Sequence, residues 1–272
     1  MKATSAPIGV FDSGVGGLTV ARAIKEFMPN ERLIYFGDTI HLPYGDKTHA
    51  TIRQYSREIT RFLIREEAKA VVVACNSASA AAFDALKQEF GQKVILLNVI
   101  DPVVEEIGQH PEWHTIGVLG TRATVNSGIY PREIHERAPE VQVLSKATPL
   151  FVPIIEEGLA KSGILRELIL HYFTDPDWAH PDALILGCTH YPLIEVPLQN
   201  HFGSSTHVLN TPKIVAKALE RSLRDQQLLA TSLPINPDVF YLSEHTETFM
   251  RTAREFFGED VMLEERNIWE HL

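Results

Sequence analysis

The sequence predicts an α/β fold built from two similar halves, each with a mostly parallel sheet flanked by helices. Short apolar runs alternate with segments of helical periodicity along the 272 residues, as expected for strand–helix–strand units. An apolar run leads into a cysteine twice, at Cys75 and at Cys188. Similar signals recur in the same order around both cysteines, which indicates an internal repeat of one α/β unit.

Ten apolar runs predict the strands. They are residues 8–11, 33–36, 71–74, 94–99, 116–119, 141–144, 184–186, 208–209, 239–242 and 261–263. Helical spacing of apolar residues predicts helices between them, for example around Ile59, Leu86 and Ile169. The last quarter adds helices near 213–223 and 246–257.

Composition excludes several classes of function. A formal net charge of −10 gives no basic surface for nucleic acid or for an anionic membrane. No apolar run approaches the roughly 18 residues that span a bilayer, and residues 1–7 lack the apolar core of a signal peptide. We therefore expect a cytoplasmic protein whose two cysteines stay reduced.

The loops that follow the strands contain the candidate chemical groups. In open α/β sheets, ligands bind at the carboxyl ends of the strands. Cys75 and Cys188 each follow a strand, so two thiols could approach one substrate from opposite sides, as a racemase requires. A packing role is the alternative for each cysteine, and a disulfide is a weaker one.

Other motifs favour a small anionic ligand. The segment from Asp12 to Gly17 is a glycine-rich turn before a helix, although Asp12 could simply cap that helix. Tyr44 and Gly45 lie in a turn, where Tyr44 could equally well pack. His190 lies two residues after Cys188 and could lower the pKa of that thiol. No spacing of histidines or cysteines predicts a metal site, and a cysteine hydrolase would not explain a duplicated thiol.

Together these motifs resemble glutamate racemase, within the aspartate/glutamate racemase superfamily. The matching segments are residues 12–19, 37–39, 43–45, 74–76 and 187–192, together with Gly120-Thr121 and Thr124. The resemblance implies two flavodoxin-like domains related by a pseudo-twofold axis, one of residues 1–98 with 211–272 and one of residues 99–210. It places the active site in the cleft between them and implies a homodimer.

The resemblance also implies the reaction, namely the interconversion of L- and D-glutamate without metal, pyridoxal phosphate or nucleotide, supplying D-glutamate for peptidoglycan. Cys75 and Cys188 would transfer the proton, with Asp12 assisting Cys75, and Glu156 and His190 assisting Cys188. The residues implied to bind the amino acid are Asp12, Ser13, Tyr44, Gly45, Asn76, Ser77, Thr121, Thr189 and His190.

Three departures and two alternatives remain. Ser77 stands where the family usually has threonine, the segment 40–42 matches no pattern that we can assign, and few residues precede the first strand. We therefore do not expect regulation through a long N-terminal extension. A racemase for aspartate or another acidic amino acid is the alternative among enzymes. A two-lobed amino-acid binding protein is the alternative from another class.

Overall fold

A computed structural model describes residues 3–178, 180–259 and 261–269. In these residues the strands form one six-stranded and one four-stranded sheet. The larger sheet contains β1 (Ile8–Asp12), β2 (Leu33–Gly37), β3 (Ala70–Val73), β4 (Ile95–Asn98), β9 (Val239–Leu242) and β10 (Met262–Glu265). The smaller sheet contains β5 (Thr115–Gly120), β6 (Gln142–Ala147), β7 (Ala183–Gly187) and β8 (His207–Val208). All ten predicted strands are present, with ends that differ by up to three residues.

Helices connect the strands and cover both faces of each sheet. They are α1 (Leu18–Phe27), α2 (His49–Arg65), α3 (Asn76–Phe90), α4 (Asp101–Gly108), α5 (Arg122–Asn126), α6 (Ile129–Arg137), α7 (Phe151–Glu156), α8 (Gly163–Tyr172), α9 (Glu195–Phe202), α10 (Thr211–Asp225) and α11 (Glu247–Phe257). Short 3-10 turns lie at Thr39–His41, Tyr44–Asp46, Leu159–Lys161, Pro176–Trp178 and Tyr191–Ile194.

Side-chain caps fix several helix starts. The hydroxyls of Thr48, Thr121 and Thr246 accept the backbone N–H three residues later, and so does the Asn210 side chain. Each cap satisfies an amide that the first helical turn leaves unpaired. These residues therefore set where α2, α5, α11 and α10 begin.

The two sheets repeat one strand order. Every strand pair is parallel. The larger sheet has the order β10-β9-β2-β1-β3-β4 and the smaller β6-β5-β7-β8, so each contains the order second-first-third-fourth of its own half. In each sheet the second strand lies on one side of the first strand and the third lies on the other, so the strand order reverses beside the first strand. Such a reversal is the switch point where α/β sheets bind ligands. The fold class is therefore as predicted, and the pseudo-twofold axis itself stays a prediction.

Burial on both faces explains the continuous apolar strands. In β1, Ile8 and Val10 join the core on one face of the larger sheet, whereas Phe11 joins the core on the other. In β7, Ile185 and Leu186 divide in the same way between the two cores of the smaller sheet. Parallel strands covered on both sides need apolar residues at every position.

Candidate active site

A cavity of about 400 Å³ lies at the carboxyl ends of the strands of both sheets. All twelve residues that the sequence singled out line it. They are Asp12, Ser13, Tyr44, Gly45, Cys75, Asn76, Ser77, Thr121, Glu156, Cys188, Thr189 and His190. The loops after β1, β2 and β3 supply one wall, and the loops after β5, β6 and β7 supply the other.

The two thiols occupy equivalent places in the two sheets. Cys75 follows β3 and precedes the first residue of α3, and Cys188 follows β7 directly. Both thiols are free, and they are 5% and 6% exposed. Each cysteine also belongs to an apolar cluster, so each packs in the core and lines the cavity as well. The internal repeat therefore brings two sulfur atoms to one cavity from two sheets.

A buried carboxylate lies beside Cys75. Asp12 Oδ2 accepts the backbone N–H of Gly17 (2.9 Å) and of Gly14 (3.2 Å), and the Cys75 thiol lies 3.9 Å from the Ser13 hydroxyl. A Cβ on Gly17 would lie 2.5 Å from Asp12 Cβ, so this turn needs a glycine. Burial raises the pKa of Asp12, opposed by the charge of His190. Burial, and then the Asp12 charge, raise the pKa of Cys75 well above its usual range.

A histidine and a glutamate lie beside Cys188. His190 Nδ1 is 3.7 Å from the Cys188 sulfur, and His190 Nε2 is 3.0 Å from Glu156 Oε1. Burial alone would lower the pKa of His190, but its bonds to Cys188 and Glu156 raise it to about 10. The imidazole is thus positively charged at neutral pH and faces the sulfur.

Contacts between the two halves involve residues that line the cavity, namely Asn76, Thr189 and His190. The Thr19 hydroxyl donates to the Thr189 carbonyl (2.9 Å), and the Tyr130 hydroxyl donates to Asn76 Oδ1 (2.7 Å). A Cβ on Gly16 would lie 2.5 Å from His190 Nδ1. The glycine-rich turn of the first half therefore touches the loop that holds Cys188 in the second.

Hydroxyl groups and a tyrosine complete the polar lining. Ser77 Oγ lies 3.0 Å from Thr121 Oγ1, so these two predicted binding residues meet across the cleft. Tyr44 is buried, and its hydroxyl donates to Asp38 Oδ2 (2.6 Å). A Cβ on Gly45 would lie 3.1 Å from Thr121 Cβ. Tyr44 is therefore packed, which was the alternative role considered from the sequence, and it also lines the cavity.

The sequence did not single out the rest of the lining. Eight further residues line the cavity: Leu42, Pro43, Asp46, Arg122, Pro149, Leu150, Val152 and Pro153. Six of them are apolar or proline residues, in loops or in α7, which in sequence resemble ordinary packing residues. Asp38 was part of a quoted motif, but nothing in the sequence distinguished a buried carboxylate behind the cavity from a turn residue.

Within 3–178, 180–259 and 261–269, no three His, Cys, Asp or Glu side chains gather as a metal site. In the same part of the chain, no helix has both the length and the apolarity to cross a membrane.

The chain is similar to known racemases over nearly its whole length. A family model described as Asp/Glu/Hydantoin racemase matches residues 17–219. Glutamate racemase of Syntrophus aciditrophicus is 40% identical over 253 residues, 93% of each protein. The structure of Francisella tularensis glutamate racemase in complex with D-glutamate has a TM-score of 0.88 at 35% identity, over 98% of this chain and 99% of that chain.

Another solved structure extends the similarity to both full chains. Thermus thermophilus glutamate racemase, in complex with beta-chloro-D-alanine, has a TM-score of 0.86 at 36% identity and covers 100% of both chains. The motifs around the two cysteines predicted the same relationship. This chain therefore belongs to the glutamate racemases of the Asp/Glu/hydantoin racemase family.

Proposed function

We propose that this protein interconverts L- and D-glutamate by a two-base mechanism in which Cys75 and Cys188 exchange protons with the α-carbon. One observation carries the proposal: two free thiols, from equivalent loops of two repeated sheets, line one small cavity. No metal, pyridoxal phosphate or nucleotide takes part in the proposed reaction.

The proposed steps balance in protons. Cys188, as the thiolate, removes the α-proton of L-glutamate, and the Cys75 thiol then protonates the opposite face of the carbanion. The product is D-glutamate, with the thiolate now on Cys75 and the proton on Cys188. D-Glutamate runs the same steps in reverse, starting from the Cys75 thiolate. The assignment of each thiol to one enantiomer comes from the family resemblance.

The surroundings of each thiol support these roles. The imidazolium of His190 faces Cys188 and favours negative charge on that sulfur, while Glu156 holds the ring from the other side. Asp12 is buried beside Cys75 with a raised pKa, which suits a group that passes a proton to and from the thiol.

The cavity walls suit an amino acid with two carboxylates. The hydroxyls of Ser13, Ser77, Thr121 and Thr189 and the amides at the strand ends can donate to carboxylate oxygens. An α-proton next to a carboxylate is very weakly acidic, so the carbanion needs preorganised donors in a site that excludes water. The contacts between the two halves support such exclusion.

Several wider features belong to the same proposal. We place the domain boundaries at residues 1–98 with 211–272 and at 99–210, because α4 packs in the core of the smaller sheet and α10 in that of the larger. The physiological role is supply of D-glutamate for peptidoglycan in the cytoplasm, and the assembly is a homodimer. Sedimentation of the purified protein tests the last point, where a monomer at micromolar concentration would contradict it.

The decisive experiment uses solvent deuterium. L-Glutamate incubated in deuterated water, with chelator and without added cofactor, should give early D-glutamate that carries deuterium at the α-carbon. The remaining L-glutamate should mostly keep its proton. Product that retains the original proton would contradict two bases. A parallel panel with aspartate tests the alternative substrate, and lack of any racemisation would favour an amino-acid binding protein.

A further inference from the structure

The loop after β2 contains a histidine that the proposed reaction does not use. His41 ends the 3-10 turn Thr39–His41, three residues before Tyr44. It belongs to the segment 40–42, which matches no pattern assigned from the sequence. Tyr44 and Gly45 of the same loop line the cavity, whereas His41 does not. The structure nevertheless connects His41 to Tyr44 through one carboxylate.

That carboxylate is Asp38, whose side chain is fully buried. Asp38 Oδ2 accepts the Tyr44 hydroxyl at 2.6 Å. His41 Nδ1 lies 2.9 Å from Oδ1 and 3.0 Å from Oδ2, so its N–H donates to the same carboxylate. The Ser243 hydroxyl, from the end of β9, donates to Oδ1 at 3.2 Å. A buried carboxylate loses much of its solvation, so each of these donors matters for keeping it in place.

Two aromatic rings hold the His41 imidazole. It stacks on Tyr55 of α2, with ring centroids 3.9 Å apart and an interplanar angle of 17°. The Trp269 ring meets it edge-on at 4.7 Å and 84°. The His41 side chain is 21% exposed, against 0% for Asp38. His41 is thus aimed at Asp38 by packing from α2 and from the segment after β10.

The other end of this chain of contacts reaches the cleft between the two halves. The Gly45 backbone approaches Thr121 so closely that a Cβ there would lie 3.1 Å from Thr121 Cβ. Thr121 in turn contacts Ser77 at 3.0 Å. A shift of Tyr44 would therefore move Gly45 against two hydroxyl residues of the cavity wall.

We propose that His41 is a positioning residue for the glutamate site. Its Nδ1–H holds the Asp38 carboxylate, which holds the Tyr44 hydroxyl and thereby fixes the Tyr44–Gly45 wall. This inference rests on the proposed function for the identity of the ligand. His41 forms no hydrogen bond with Cys75 or Cys188 among those found in the described residues. Its loss should therefore weaken substrate binding equally in the ground state and the transition state.

The test is a split between KM and kcat in variants of the full-length protein. His41→Leu removes the donor and keeps an apolar side chain against Tyr55. We expect the KM for both enantiomers to rise about tenfold, with kcat within about twofold, because a hydrogen bond to a charged group is lost. His41→Asn, whose amide can take the place of Nδ1–H, should restore KM to within about threefold. An unchanged KM in His41→Leu would overturn the proposal.

A matched control exists in the other half. His110 stacks on Trp113 at 3.8 Å and 12°, and its Nδ1 lies 2.8 Å from Glu112, but it does not line the cavity. His110→Leu should leave both kinetic constants unchanged. If His41→Leu fails to fold, His41→Gln replaces it. Its amide reaches the Nε2 position instead, so it should raise KM while His41→Asn does not, and equal KM values in the two would overturn the proposal.

A readout without substrate separates this inference from the proposed function. In protein labelled with 3-fluorotyrosine, Tyr44→Phe identifies the fluorine NMR signal of Tyr44. That signal should shift in His41→Leu, return in His41→Asn and stay unchanged in His110→Leu. A signal that does not respond to His41→Leu would overturn the inference. A wild-type protein that does not racemise glutamate, but whose signal responds as expected, would contradict the proposed function alone.

Discussion

The two thiols stand at equivalent positions of a repeated fold, yet their neighbours have opposite character. Cys75 lies beside the buried acid Asp12, and burial, followed by the Asp12 charge, raises the pKa of the thiol. Cys188 lies beside His190, which is positively charged at neutral pH and is held by Glu156. The repeat thus delivers the sulfurs symmetrically, and the loops make the two sites different. In the proposed mechanism, Cys188 is the thiolate when L-glutamate reacts, and Cys75 is the thiolate when D-glutamate reacts.

The comparison also shows how each neighbour is fixed. Asp12 is held by two amides of its own turn, within five residues of sequence. His190 is held by a carboxylate 34 residues away, at the end of α7. That end is itself held from the other half, since Arg251 of α11 donates to the Glu156 carbonyl at 3.0 Å. The Cys75 site is therefore local, whereas the Cys188 site depends on packing between distant segments.

The largest effect should come from removing either thiol, because one of the two sites that are compared then has no proton donor or acceptor. In Cys75→Ala and Cys188→Ala, racemisation should fall by about 10⁴-fold, because each direction needs one thiolate and one thiol. Polarimetry of both enantiomers measures it. Thr206→Ala, a similar truncation of a buried side chain outside the cavity, should leave the rate unchanged. Racemisation within tenfold of the wild type in either cysteine variant would refute the two-thiol assignment.

The next largest effect should come from removing the neighbour of either thiol, and it should show which thiol each neighbour assists. His190→Asn and Asp12→Asn should each lower kcat/KM by about 100-fold, as expected for loss of assistance to proton transfer. The two enantiomers have equal free energies, so kcat/KM must fall equally in both directions. The asymmetry should appear in the isotope effect of α-deuterated glutamate.

In His190→Asn, abstraction by Cys188 becomes the slow step, so the isotope effect should be larger with L-glutamate. In Asp12→Asn, it should be larger with D-glutamate, the substrate assigned to Cys75. Competitive racemisation of labelled and unlabelled substrate, followed by mass spectrometry, gives both values. The same ratio of isotope effects in the two variants would contradict separate roles for the two neighbours.

A smaller effect is expected one contact further from the sulfur. Glu156→Gln should lower kcat/KM about tenfold, because the ring of His190 keeps its place but loses a charged partner. Glu156 helps to raise the pKa of His190 to about 10. The alkaline limb of the pH–rate profile reports deprotonation of the imidazolium, so it should move to lower pH in this variant. Profiles between pH 7 and pH 11, with the exposed neighbour variant Glu157→Gln as control, measure this. A limb that does not move would separate Glu156 from His190.

The sequence located the chemistry well because it lies in the loops after buried strands. Continuous apolar runs such as β3 and β7 are visible without any structure, and a thiol directly after them must lie at the carboxyl edge. All twelve predicted residues line the cavity, although most of them were implied by the family resemblance rather than by the strand pattern. Strand and helix ends were less exact, because hydrogen bonds rather than apolar residues decide them.

Contacts between distant segments could not be predicted in the same way. The bonds from Tyr130 to Asn76 and from Thr19 to Thr189 join residues 54 and 170 positions apart. Asp38 gains its role only because Ser243, which follows β9, and Tyr44 converge on it. Pattern and propensity are local signals, whereas such convergence depends on how the elements pack.

The smallest expected effect is on the free energy of unfolding, at two aspartates that differ in function. Asp12 and Asp182 each accept two backbone amides, but burial raises the pKa of Asp12. In Asp182, which is less buried, the amides of Thr115 and His114 outweigh burial and lower the pKa. A raised pKa means that the ionised Asp12 costs stability at neutral pH, whereas a lowered pKa means that the ionised Asp182 adds to it.

Asp12→Asn should therefore increase the free energy of unfolding by about 1 kcal/mol at neutral pH, while activity falls. Wild-type Asp12 favours the fold fully only below its usual pKa of 3.8 and loses that contribution as pH rises. The gain in the variant should thus disappear on acidification. Asp182→Asn should show the reverse, a loss at neutral pH that disappears in acid. Urea unfolding at pH 2.5, below the usual aspartate pKa of 3.8, and at pH 7.5 measures both. A destabilised Asp12→Asn at pH 7.5 would mean that the two aspartates serve the fold alike.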